Sequence, residues 1–431
     1  MQTSKKTIEN SKSIIHSEDT KRRTVKDPER HFTRNRKLSF VMLVSLILSR
    51  FQTTIQTALN HFQPLVDAGI TMYQSSFSQA RARINDTVFR ELFEMTARTG
   101  YENRRAFKEA GGQLYEGRLL CAVDGSQVKL PYTAKLKEYF GTSGQGDKAV
   151  TGRCSALYDV LNDIVLDAVM DKFSVGERSQ ALKLLGKKHI FEGVKELIIF
   201  DRGYYSSDFM EELLIRGYEF VFRMPAKRLE AADALPNGIH TIRVTLKDGK
   251  HARVRVVKFD LPSGETETLL TNFYKRNMTV ETYKELYFKR WPVETKFDIV
   301  KNKIHLENFT GRTVEAISQD FYACMYLTNM VAIFKAETDQ EIREQRKDKD
   351  NKYEYKADTN EIVGAFKDRF ILACLEPSPS KSSRMIDRIF SEIKKAVIPI
   401  RPNRTLPRPT SVRRMKHYHN QKCNAGAGLS D

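Results

Sequence analysis

Between Arg118 and Arg223 short apolar runs alternate with amphipathic ones, and this order limits the possible folds more than any other feature of the chain. Leu119-Leu120-Cys121-Ala122-Val123 reads as a strand ending at Asp124, and Arg153 to Val160 and Ile164 to Met170 read as two more, joined by Leu161-Asn162-Asp163. A meander of three strands is the simplest arrangement. Glu177 to Lys187 then has helical spacing, and Glu196 to Phe200 is a fully apolar strand ending in Asp201. Ser207 to Ile215 is helical again, and Tyr218 to Arg223 closes the series as a strand.

Charge narrows the partners. The 431 residues carry 72 Lys and Arg against 54 Asp and Glu, a formal +18 that favours a polyanion, most often nucleic acid. The five cysteines are scattered with no C-x-x-C pair, as expected of reduced thiols in a cytoplasmic protein. The longest apolar run, Phe40 to Leu48, is far short of the roughly 20 residues of a membrane span, so no membrane is expected.

Three strands followed by helix, strand, helix and strand is the order of an RNase H-like fold, an α/β architecture with a mixed sheet flanked by helices. The domain that carries it is placed at residues 113–335. Inside it, Ile242, Val244 and Leu246 alternate, as do Ala252, Val254 and Val256, on either side of Asp248-Gly249, a hairpin with a two-residue turn. Residues 226–270 are thus a β-rich insertion, with Arg243, Arg253 and Arg255 on its polar face. A long helical region starts at Val280 and continues past Glu294, and another amphipathic helix spans Val314 to Phe334.

Residues 1–30, polar and without apolar period, are expected to be a flexible leader. Residues 31–112 are expected to be a helical DNA-binding domain, in which Ser76-Phe77-Ser78-Gln79 resembles a capping box opening a helix with Arg81 and Arg83. Arginines on one helical face suit DNA, and they suit a merely solvated face equally. Residues 336–392 form a helical C-terminal region, and 393–431 a basic tail in which Arg401, Arg404, Arg408, Arg413, Arg414 and Lys416 accumulate among prolines.

Three positions carry the candidate chemistry. Asp124 and Asp201 each close an apolar strand, where ligands collect in an open α/β sheet. An Asp before a Gly is also a common turn former. On adjacent parallel strands, however, the two carboxylates would share one edge and repel each other until a cation intervened. The third position lies in Tyr287-Phe288-Lys289-Arg290-Trp291-Pro292-Val293-Glu294, continuing to Lys301. At about 100° per residue, Tyr287, Arg290, Glu294 and Lys301 fall within roughly 60° of one another on a helix. Pro292 either kinks that helix or opens a new one. Gly141 to Lys148 is no P-loop, since Asp147 stands where the lysine belongs. His417, His419 and Cys423 make a weak zinc pattern, and no G-x-S-x-G occurs.

The spacing Y-x2-R-x3-E-x6-K, with the preceding D-G-S at Asp124 and F-D-R-G-Y around Asp201, resembles the YREK-type DDE transposases of bacterial insertion sequences, the family numbered four. The resemblance covers about 280 residues, from near Phe32 to Phe309-Thr310-Gly311-Arg312. It implies that Asp124, Asp201 and Glu294 hold two Mg²⁺ or Mn²⁺ ions, and that Tyr287, Arg290 and Lys301 act around the terminal phosphates. It further implies cut-and-paste transposition, double-stranded DNA as partner in the form of terminal inverted repeats and target, and a homodimer when ends are synapsed. The expected location is the bacterial cytoplasm, at the nucleoid. Glu177-Arg178 matches an acid-base pair frequent in the family and is assigned no role. Some relatives hold a flipped base with a tryptophan of the insertion, whereas the only tryptophan here, Trp291, reads as a packing anchor. Phe259, Phe273 and Tyr274 are candidates to take its place, with a core role the stronger reading. A nuclease without strand transfer and a catalytically silent, domesticated DNA-binding protein are the alternative readings.

Overall fold

The computed structural model describes residues 2–34, 38–49, 53–66, 71–144, 149–349 and 352–401. The chain divides into two compact units, one of residues 100–127 and 153–298, the other of 1–99, 128–152 and 299–431.

The first unit holds most of a nine-stranded sheet. Its strands are β1 (Arg118–Lys129), β2 (Thr142–Ser143), β3 (Ala149–Asp159), β4 (Ile164–Lys172), β5 (Lys195–Phe200), β6 (Glu219–Arg223), β7 (Gly238–Thr245), β8 (His251–Asp260) and β9 (Thr266–Thr271). The order is β2-β3-β1-β5-β6-β9-β8-β7, with β4 on β3, and β2 pairs only with Ala149 and Val150 in the other unit. β1, β5 and β6 run parallel, which makes β4-β3-β1-β5-β6 the RNase H-like sheet that the order of elements implied. Leu119 to Val123, Leu197 to Phe200 and Phe220 to Phe222 are buried throughout, as parallel strands covered on both faces must be. Phe200 stacks on Phe222 at 4.9 Å, and Phe209 of the helix Ser207–Ile215 meets both, so this helix covers the sheet face opposite Asp201. Ser206 caps that helix through the Phe209 N–H.

The insertion extends the sheet antiparallel from β6 through β9, β8 and β7. Its hairpin loop is Lys247-Asp248-Gly249, three residues where the sequence suggested two. Leu246 and Lys250 still pair, and Gly249 at φ +80° takes the left-handed position that closes such a loop.

The second unit is built on a 33-residue helix, Val314–Arg346, buried almost without break from Ala316 to Phe334. It runs a further twelve residues past the end read from the sequence. Around it pack Thr87–Arg98, with Arg90 4.0 Å above the Tyr322 ring, and Pro379–Ile393, with Phe390 stacked on Phe334.

Two expectations fail in this unit. Residues 2–24 are not a flexible leader but two helices, Gln2–His16 and Glu18–Thr24. Ser4, Thr7, Ile8, Ser11 and Ile15 form a buried stripe of mostly small residues, and Ser11 accepts a hydrogen bond from Tyr326 of the long helix. Hydroxyls that bond back to their own helix, Thr7 to Thr3 and Ser11 to Thr7, make such a stripe look polar in the sequence. Arg81 is likewise no DNA-facing residue. It is 4% exposed, pairs with Asp320 at 3.1 Å and donates to Gln319 and the Ala316 carbonyl. Its helix, Gln74–Ala82, begins two residues before the predicted capping box, because Gln56 of a neighbouring helix accepts the Gln74 N–H.

Residues 397–400 form a strand, β11 (Val397–Ile400), paired with β10 (Glu354–Ala357). Residues 402–431 of the basic tail, with His417, His419 and Cys423, lie outside the described residues, as do residues 145–148. Among the described residues no helix is long and apolar enough to cross a membrane.

Candidate active site

Strand register brings the two aspartates together. β1 and β5 are paired with Ala122 beside Ile199. Carried two residues further, the same register sets Asp124 beside Asp201, on the sheet face that bears Ala122 and Ile199. Asp124 does not end its strand, since β1 continues to Lys129, but it lies just beyond the stretch paired with β5. Asp201 does end β5. It stands at the start of the turn Arg202–Tyr204 without capping it.

The run that carries the third acid folds as two helices, not as one long one. Val280–Phe288 stops at Lys289, and Trp291–Asn302 begins after Arg290. Pro292 sits in the first turn of the second helix, where its missing N–H costs nothing, so it opens that helix rather than kinking one. Glu294 occupies the same first turn, where the helix dipole favours a carboxylate. Lys296, 6% exposed, pairs with Asp163 at 2.7 Å and so anchors the helix to the β3–β4 turn.

Four charged groups share this neighbourhood. The Asp124 carboxyl is pushed up to about 6, first by burial, and further by Glu294 and Asp201, while Arg290 and the Gly125 N–H pull it down. Arg290, 6% exposed, donates to Glu294 Oε1 at 2.6 Å. Burial works against its charge, but Tyr287, Glu294 and Asp201 outweigh burial and raise it. Tyr287 donates a long bond, 3.4 Å, to Asp201 Oδ1, and burial lifts its phenol to about 12. The structure thus assembles Asp124, Asp201, Glu294, Tyr287 and Arg290. Lys301 is seven residues along the helix from Glu294, beyond the end of this unit at Asp298.

Oxygen donors of this kind suit a hard divalent cation. Among the described residues, however, no three His, Cys, Asp or Glu side chains converge closely enough to hold an ion as they stand. Arg290 holds the Glu294 carboxylate by a hydrogen bond and lies within electrostatic reach of Asp124 and Asp201.

Glu177 and Arg178, without a role in the sequence reading, both border this site. Arg178 donates to the carbonyls of Gly203, Tyr204 and Tyr205, the turn that follows Asp201. Glu177 lies so close to Gly125 that a side chain there would come within 3.0 Å of its Cγ. The buried Tyr204 phenol is raised well above its ordinary value by burial and then by Asp124 and Glu177, which sets Glu177 near the acids. A signal existed in the sequence. An arginine in the first turn of a helix opposes the helix dipole and calls for a partner elsewhere.

Trp291 is 52% exposed and Phe288 50%, so Trp291 is no packing anchor: the helix break at Lys289-Arg290 turns both rings outward. Phe259 and Phe273 belong to the core, and Tyr274 is 40% exposed.

A family model described as a transposase DDE domain matches residues 115–330, half of the chain. InsZ of Escherichia coli (strain K12), described as a transposase, is 24% identical over 210 residues, 48% of this chain and 67% of its own. Among solved structures, the cryo-EM structure of the piggyBac transposase synaptic complex with hairpin DNA matches 90% of this chain and 85% of its own, at 12% identity and a TM-score of 0.44.

Proposed function

Because this chain belongs to the family of transposases built on the DDE domain, we propose that Asp124, Asp201 and Glu294 are its catalytic triad, cutting transposon ends and joining them to target DNA by a cut-and-paste route. The observation that carries this reading is the register that sets Asp124 beside Asp201, with Glu294 and Arg290 in the same electrostatic neighbourhood. The spacing of Tyr287, Arg290, Glu294 and Lys301 favours the YREK group within the family.

The three carboxylates would hold Mg²⁺ or Mn²⁺, two ions in all, since both cations prefer oxygen donors. When bound, they supply the charge that activates water or a 3′-hydroxyl and stabilises the leaving oxygen. The protein's own part is positional. Tyr287 fixes the Asp201 carboxylate by hydrogen bond, and the Lys296–Asp163 pair fixes the helix that presents Glu294. Arg290 neutralises the acids in the resting site. With Glu294 engaged by a cation, the Arg290 guanidinium would be free to meet a DNA phosphate, for which its planar fork is suited. Lys301 is assigned to the same terminal phosphates. DNA partners comprise the inverted repeats and the target, and a homodimer would bridge two ends at the chromosome.

Strand transfer separates this reading from a nuclease. With transposon ends already cut to expose 3′-hydroxyls, the purified chain is expected to join them to plasmid DNA in Mn²⁺ or Mg²⁺. A nuclease would nick the plasmid without joining, and a silent DNA-binding protein would leave both substrates intact.

A further inference from the structure

The outer hairpin of the sheet sets two like charges against each other. Arg243 of β7 and Arg253 of β8 are directly opposite each other, both exposed. Like charges at such positions repel. Among the described residues neither guanidinium makes an ion pair or a hydrogen bond, and the nearby loop charges are engaged elsewhere, Asp248 with Lys250 and Lys247 with Asp208. Arg255, two residues along β8, extends the row. Its guanidinium donates to the Tyr283 hydroxyl at 2.8 Å and lies 5.0 Å from the Tyr274 ring centroid, which holds it at the edge of the helix Val280–Phe288.

Register fixes which way this row faces. Arg223 pairs with Leu269, and Leu269 with Val257, while the β5–β6 register carried one residue on places Arg223 beside Asp201. Asp124, Asp201, Arg223, Leu269 and Val257 therefore share one sheet face, and Arg255 and Arg253, two and four residues from Val257, share it too. The arginines lie about three strand spacings across and four residues along the sheet from Asp201, roughly 20 Å in all. That is some six base pairs of duplex at about 3.4 Å each.

We infer that Arg243, Arg253 and Arg255 form a backbone-tracking surface, which grips phosphates of the same duplex whose end lies at the acid cluster. DNA is favoured over an acidic protein segment because the row shares its face with a site that acts on DNA, and because phosphates relieve the repulsion within the Arg243–Arg253 pair. The inference rests on the transposase reading of that site.

The test uses the full chain and a mixed-sequence duplex of about 40 base pairs, since backbone contacts ignore sequence. R243T/R253T keeps β-forming residues in both strands. Against wild type, the slope of log K on log salt is expected to be shallower by about 1.8, with binding weaker by roughly 60-fold at about 0.1 M salt. The melting temperature is expected to hold or rise, since a repulsion is removed. R104T/R105T, which deletes two exposed charges elsewhere in the same unit, should leave the slope unchanged. An unaltered slope in R243T/R253T, an equal fall in the control, or a lower melting temperature would each overturn the inference. Cleavage retained by D201N would instead overturn the reading of the acid site, whatever the slope.

Discussion

D124N, D201N and E294Q are each expected to lose cleavage of transposon ends by on the order of 10³-fold or more while still binding the ends. The substitutions are nearly isosteric and leave the sheet intact, since Leu119 to Val123 and Leu197 to Phe200 supply its buried apolar contacts. What they remove is negative charge on an oxygen donor, which a metal requires and an amide does not provide. Binding should persist because phosphates are held by cations, and deleting an acid lessens repulsion of the polyanion. Gel-shift and cleavage assays on the same preparations check both halves. A variant that cuts normally removes its residue from the triad, and one that loses binding and melting temperature together shows a structural role.

R290A should destabilise the metal-free protein near neutral pH by on the order of 3 kcal/mol, because it leaves Glu294 and its neighbours without their internal counter-charge. Arg290 currently holds the Asp124 carboxyl down to about 6, so its removal sends that carboxyl higher still. A carboxyl raised in the folded state binds its proton more tightly folded than unfolded. The stability it contributes is therefore complete below the unfolded value of 3.8 and is lost as pH rises through the folded value. The deficit of R290A against wild type is accordingly expected above about pH 6 and should fade toward pH 4. Millimolar Mn²⁺ should restore part of the melting temperature in R290A and less in wild type, since only the cation can then take the place of the guanidinium. Thermal melts with chelator and with Mn²⁺ across that pH range decide it. A deficit that ignores both pH and metal would mean that Arg290 matters for packing alone.

Much of the site was legible because each part has a local signature. Apolar runs closed by Asp124 and Asp201 name two strands and two acids, and the spacing from Tyr287 to Glu294 names a helix face. What sequence did not show depends on distant partners. The break at Lys289-Arg290 was hidden behind an ambiguous Pro292, and it is this break that turns Trp291 and Phe288 outward while Arg290 turns in. Arg81 carries the same charge as any surface arginine until Asp320, 239 residues away, is seen to bury it. Gln2–His16 looked solvated because its inward face carries Ser4, Thr7 and Ser11, and the hydroxyls of Thr7 and Ser11 are satisfied within the helix or by Tyr326. Arg178 had a local oddity, a cation at a helix start, but its three acceptors lie 25 to 27 residues away in the turn after Asp201.

The most direct test of the acid cluster is the position of Mn²⁺ by anomalous diffraction in crystals of the full chain with a pre-cut end. The expected result is a peak bounded by the Asp124 and Asp201 carboxylates, with Glu294 turned away from Arg290 to meet it. Manganese bound elsewhere, with Glu294 still paired to Arg290 beside the DNA end, would contradict the assignment.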